Sequence, residues 1–159
     1  MKNLLSILIM VLVLTVISCQ QKVNPENEKE AVLKVLQQEG VDFAKSNIEG
    51  ICAIHVQDES TTRLEGSKVY SGWNAIKELY DKYLTKNKAD TIARNMRNIK
   101  ENVIVKVNGN SAWVVCDNIW KWDANGKNQG FRNKQIAVFE KNDGQWKFVL
   151  NAFFENQNP

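Results

Sequence analysis

Three short turn signals divide the second half of the chain into long alternating segments, and they leave little freedom in how that half folds. Glu101 to Val107 alternates around Val103, Val105 and Val107, Asn108-Gly109 is a two-residue hairpin signal, and Ser111 to Trp122 resumes as a long strand. Asn125-Gly126 marks the next turn, Gly130 to Glu140 the next strand, and Asn142-Asp143-Gly144 turns the chain into a last strand from Gln145 to Phe154. The stretch Ala89 to Ile99 is expected to hold the strand before these. Strands joined by such tight turns satisfy their backbone groups by pairing with the next strand, so this half reads as an antiparallel meander.

The first half carries a different period. Asn27-Glu28-Lys29-Glu30 is placed to cap a helix, with Val32, Val35, Leu36 and Phe43 at helical spacing up to about Lys45. Ser46-Asn47-Ile48-Glu49 repeats the capping pattern before a short helix, in which Ile48, Ile51, Cys52 and His55 share one stripe. A strand or hairpin is expected around Thr61 to Leu64. Ser71-Gly72 opens a third helix with Trp73, Ile76, Tyr80, Tyr83 and Leu84 on one face. Helices segregated from an antiparallel sheet define the α+β class, and a long twisted sheet can curl into an open cone around one helix.

The N-terminus reads as an address. Lys2 precedes an apolar run from Leu4 to Ile17, and Ser18-Cys19 closes it in the order of a secretory signal that is too short to span a bilayer comfortably. The segment is similar to a bacterial lipoprotein signal: residues 1–18 removed, Cys19 lipidated, and 19–27 left as a polar tether before a domain over 28–156. Gln20 after that cysteine favours the outer membrane if the cell is Gram-negative. The net charge of +3 over 159 residues comes from interleaved acids and bases, which argues against nucleic acid as a partner. One histidine and no Cys/His ligand spacing imply no metal, and no cofactor is implied. Cys52 and Cys116 sit among apolar neighbours, as buried thiols or as a disulfide.

Ser46-Asn47-Ile48-Glu49-Gly50-Ile51, Tyr70-Ser71-Gly72-Trp73-Asn74-Ala75-Ile76 and Glu140-Lys141-Asn142-Asp143-Gly144-Gln145-Trp146-Lys147 stand in an order that resembles the superfamily of nuclear transport factor two, ketosteroid isomerase and SnoaL-like cyclases. The likeness covers about residues 28 to 155, and its details resemble SnoaL-like lipoproteins of the Bacteroidetes type. It implies a cystatin-like roll, a curled antiparallel sheet packed on three N-terminal helices, enclosing a conical cavity with apolar walls. It also implies that the sheet commonly serves as a dimer face. The isomerase roles look vacant: the base position falls at Thr61-Thr62-Arg63-Leu64, the helix-one stretch Glu39-Gly40-Val41 offers no tyrosine, and Ile136-Ala137 stands where a protonated acid is needed.

Projected on that fold, His55, Arg63, Tyr80, Trp113, Asp117 and Arg132 are the expected pocket residues. His55 and Asp117 are the best catalytic candidates, as an imidazole oriented by a carboxylate, while Arg63 is the alternative partner of Asp117 in a structural ion pair. Arg132 is placed to take an anionic group at the mouth. Three functions remain open on this reading: an envelope lipoprotein binding a small, partly apolar molecule without steroid-isomerase chemistry; a lyase, isomerase or hydrolase using His55 and Asp117; and a homodimerising association module.

Overall fold

The computed structural model describes residues 24–89, 95–124 and 126–155. The signal segment and Cys19 lie outside the described residues, as do most of the tether and the middle of the expected Ala89 to Ile99 strand. Within them, helix α1 (Pro25–Ala44) is followed by α2 (Ile48–Ala53), a hairpin of β1 (Thr62–Glu65) and β2 (Lys68–Ser71), and α3 (Trp73–Ala89). Four long strands complete the order: β3 (Arg97–Asn108), β4 (Ser111–Ala124), β5 (Lys127–Asn142) and β6 (Gln145–Glu155).

Local chemistry moved several boundaries from those expected. Asn24, not Asn27, caps α1, its side chain accepting from Glu26 N at 3.1 Å with Pro25 in the first turn. Asn47 rather than Ser46 caps α2 by accepting from Gly50 N at 3.2 Å. No break separates Ile99 from Glu101, and β3 continues through a bulge between Glu101 and Ile104, where Asn102 takes φ 50°. The β3–β4 loop is Gly109-Asn110, one residue later than the sequence signal, whereas Asp143 and Gly144 both take positive φ as a type I′ hairpin requires.

One six-stranded sheet results, in the order β2-β1-β6-β5-β4-β3, with β1 parallel to β6 and the other neighbours antiparallel. The β3 bulge and a second one between Val138 and Phe139 bend it around α1. The inner face of β4 carries Val114, Cys116, Asn118 and Trp120, and opposite them on β5 lie Ala137, Gln135, Asn133 and Phe131. Val32 and Leu36 of α1 fill the closed end of this trough against Val114, Phe139 and Phe148. Gly40 allows α1 to lie on β3, since a Cβ there would meet Asn98 Cβ at 2.6 Å. A second cluster of Ile51, Trp73, Ile76 and Tyr80 locks α2 and α3 together. Glu28 ties the start of α1 to the last hairpin, accepting from Lys141 Nζ at 2.7 Å and from Trp146 Nε1 at 2.7 Å. Those two bonds hold its carboxyl below the usual range.

Candidate functional site

Past the packed end, the trough opens as a cavity of about 700 Å³. Its walls are largely aromatic, with Phe43 from α1, Tyr83 from α3, Trp120 and Trp122 from β4, Phe131 from β5 and Phe153 from β6. Its floor is polar and centres on Glu39, which is 5% exposed.

Glu39 lies seven residues after Val32, so the stripe that buries the helix also buries the carboxylate. Its Oε1 accepts from Asn151 Nδ2 at 2.6 Å and from the Tyr80 hydroxyl at 3.2 Å, and its Oε2 accepts from Gln135 Nε2 at 3.1 Å. Arg63 Nη1 stands 3.7 Å away and Lys100 Nζ 3.8 Å away. Burial alone would raise the Glu39 pKa, but Lys100 and Arg63, with the Gln135 hydrogen bond, bring it below its usual value. Lys100 is shifted downward by burial and is held by Asn118 Oδ1 at 2.8 Å and Gln135 Oε1 at 2.6 Å. A buried anion between two buried cations, each hydrogen-bonded, is the arrangement in which interior charge is tolerated.

Arg63, on β1, spans the floor. Nε donates to Glu65 Oε1 at 2.8 Å and Nη1 to the Tyr80 hydroxyl at 2.5 Å, while the guanidinium lies 4.7 Å from the Tyr80 ring centre and 4.6 Å from that of Phe153. The Tyr83 hydroxyl donates to Glu65 Oε2 at 2.6 Å, and burial together with this bond pushes its pKa up to about 12. Burial also raises the Tyr80 pKa, so its phenol keeps its proton.

His55 lies beneath Tyr80 rather than at the cavity surface. It falls beyond the end of α2, on a parallel bridge to Phe148, and its ring stacks on Phe148 at 5.0 Å and on Trp73 at 5.3 Å. Nδ1 is 2.8 Å from the Ile51 carbonyl, which can only accept, so Nδ1 bears the hydrogen; Nε2 lies 3.4 Å from the Tyr80 hydroxyl oxygen, whose single hydrogen is given to Glu39. Burial lowers its pKa to about 4.

Trp113, Asp117 and Arg132 do not join this site. Strand alternation places Trp113 and Asp117 on the face of β4 opposite to Asn118 and Trp120, and Arg132 pairs across from Ile119 on that same outer face. Asp117 accepts there from Asn102 Nδ2 at 2.6 Å and pairs with Lys134, and these contacts hold its carboxyl below the usual range. Arg132 bonds Glu101 at 2.6 Å. The expected His55–Asp117 pair and the alternative Arg63–Asp117 pair are therefore both absent, because the sheet separates their members. Glu39, Lys100, Gln135 and Asn151 were missed by sequence reasoning. Glu39, Gln135 and Asn151 each stand among apolar residues of their helix or strand, which was their signal; Lys100, on the polar phase of its strand, carried none. Cys52 and Cys116 are free thiols. Among the described residues no cluster of three or more His, Cys, Asp or Glu side chains is placed to hold a metal, and no helix is long and apolar enough to cross a membrane.

A helix-backed, curled sheet around a conical cavity defines the class, and residues 32–151 match the SnoaL-like domain family. The chain belongs to that family. No curated protein matches it in sequence. Among solved structures it is similar to a protein described as a proposed dehydratase of the nuclear transport factor two-like family from Streptomyces avermitilis, with TM-score 0.73 and 14% identity over 85% of this chain and 100% of that one. It is also similar to a nuclear transport factor two-like protein with a cystatin-like fold from Novosphingobium aromaticivorans, with TM-score 0.69 and 15% identity over 89% and 94% of the two chains. A superfamily member from Salmonella enterica gives TM-score 0.69 and 16% identity over 85% and 95%. At such identities the likeness is one of fold, which is the α+β roll expected from the sequence.

Proposed function

We propose that this domain binds a small, partly apolar molecule in the conical cavity and carries out no steroid-isomerase chemistry. The observation that carries the reading is an aromatic-walled cavity of about 700 Å³ ending on a polar floor, a size and lining suited to a compact organic ligand. Binding rather than transformation is supported by the state of the titratable groups. Glu39 spends both oxygens on Asn151, Tyr80 and Gln135, and His55 is sealed beneath Tyr80. The test is a calorimetric titration of the intact protein with neutral one- to three-ring aromatics, beginning with 2-naphthylmethanol. Uptake is expected, and Phe131→Asp, which sets a charge in the cavity wall, is expected to weaken it roughly tenfold or more. No uptake across the series, or uptake indifferent to Phe131→Asp, would remove the reading.

The domain is further proposed to work as a cell-envelope lipoprotein, anchored through lipid on Cys19 and facing its ligand from the membrane surface, the outer membrane in a Gram-negative cell. The protein is expected in the membrane fraction, and Cys19→Ser is expected to release it; a soluble unmodified protein would contradict the anchor. A homodimer is favoured by one specific observation. The outer sheet face exposes Ile104 at 54%, Trp113 at 43% and Phe154 at 38%, an apolar surface of the kind that partners cover. Sedimentation should give a dimer that Trp113→Asp converts to monomer; a monomeric wild type would refute the pairing.

A further inference from the structure

The cavity floor has a donor without an acceptor. Arg63 has a side chain 8% exposed, and its guanidinium carbon lies over both the Tyr80 and the Phe153 rings. Nε is used by Glu65 and Nη1 by Tyr80, but Nη2 has no hydrogen-bond partner among the described residues. Arg63 lines the cavity, so Nη2 is the guanidinium nitrogen left for a bound molecule.

The neighbouring acceptors are already committed. Glu65 uses Oε1 for Arg63 and Oε2 for Tyr83, and both oxygens of Glu39 are engaged. A ligand that brings only donors, such as an amine, would find each of those oxygens already holding a donor and would face a cationic guanidinium. A ligand that brings an anionic acceptor completes the set, and a hydrogen bond from a cation is about twice as strong as a neutral one. Lys68 and Lys86 also line the cavity, against Glu155 as the remaining carboxylate. The rest of the wall is the flat aromatic surface of Trp120, Trp122, Phe131 and Phe43, which favours a planar body stacked on it.

We propose that the cavity selects a small planar aromatic carboxylate, its ring between the aromatic walls and its carboxylate on Nη2 of Arg63. This rests on the binding reading above and names its ligand class. The test compares 2-naphthoate with 2-naphthylmethanol, of the same body and neutral, by calorimetry on the intact protein at pH 7. Naphthoate is expected to bind roughly tenfold tighter or more, the worth of a hydrogen bond to a charged group. Arg63→Lys keeps the cation beside Glu39 and Glu65 but withdraws the guanidinium edge, and is expected to bring the two affinities close together. Equal affinities in the wild type, or a tighter alcohol, overturn the carboxylate assignment and leave the binding reading standing. A preference unchanged in a folded Arg63→Lys protein also overturns it, because the anion would then be held elsewhere. If neither probe binds, both readings fall together.

Discussion

Glu39→Gln is expected to destabilise the domain by about 3–5 kcal/mol, because removing the anion leaves Arg63 and Lys100 buried without it. For a domain of this size that corresponds to a fall in melting temperature of roughly 10–20 °C. The substitution keeps the shape of the side chain, so lost packing contributes little and the effect reports charge. A second variant separates the two causes: adding Lys100→Gln to Glu39→Gln removes one of the stranded cations. The double variant should then be more stable than the sum of the two single losses, by about 1 kcal/mol or more. A loss below about 1 kcal/mol for Glu39→Gln would mean that the carboxylate does not carry the network.

Acid is expected to weaken the fold earlier than carboxylate titration would. His55 has a folded pKa of about 4 against an ordinary value of 6.5, lowered because burial disfavours the imidazolium. Between those values the unfolded chain binds a proton that the native chain refuses, so stability rises with pH across the window. The His55 contribution is complete above pH 6.5 and is lost as pH falls to 4, amounting to about 3 kcal/mol. Glu39 acts in the same direction but lower: its folded pKa is depressed, so its contribution is present above its usual 4.5 and lost as pH falls below it. Urea denaturation at pH 7.0 and pH 4.5 is expected to show most of the His55 loss in the midpoint. His55→Gln, less stable throughout, should lack that slope. A wild-type midpoint unchanged between the two pH values would contradict a buried neutral imidazole.

How much of this was legible in the sequence differs by element. The meander was readable because each turn carries glycine where the backbone needs positive φ, as at Gly109 and Gly144. The helices were readable from their apolar stripes, but their starts were not, since Asn24 and Asn27 compete as caps before α1, Ser46 and Asn47 before α2, and only geometry selects Asn24 and Asn47. The hidden part of the site is Glu39. A charged residue in the i+7 slot of an apolar stripe reads locally as an exception, and its meaning depends on Lys100, Gln135 and Asn151, brought to it by strands remote in the chain. The misplacement of Asp117 has a different cause. Strand β4 is apolar on both faces, Val114 and Cys116 on one and Trp113 and Ile119 on the other, so alternation fixes which residues share a face but not which face turns inward. That choice is made by α1, whose Val32 and Leu36 pack on the face of Val114.

The most direct test of a ligand inside the cone uses the indole N–H signals of the tryptophans in a two-dimensional nuclear magnetic resonance titration of the intact protein with 2-naphthylmethanol. Trp120 and Trp122 line the cavity, Trp113 lies on the outer sheet face, and Trp146 is engaged by Glu28 at the far end of α1. Saturable shifts are expected at Trp120 and Trp122, with Trp113 and Trp146 unmoved. Shifts confined to Trp113, or none at saturating probe, would contradict the cavity as the binding site.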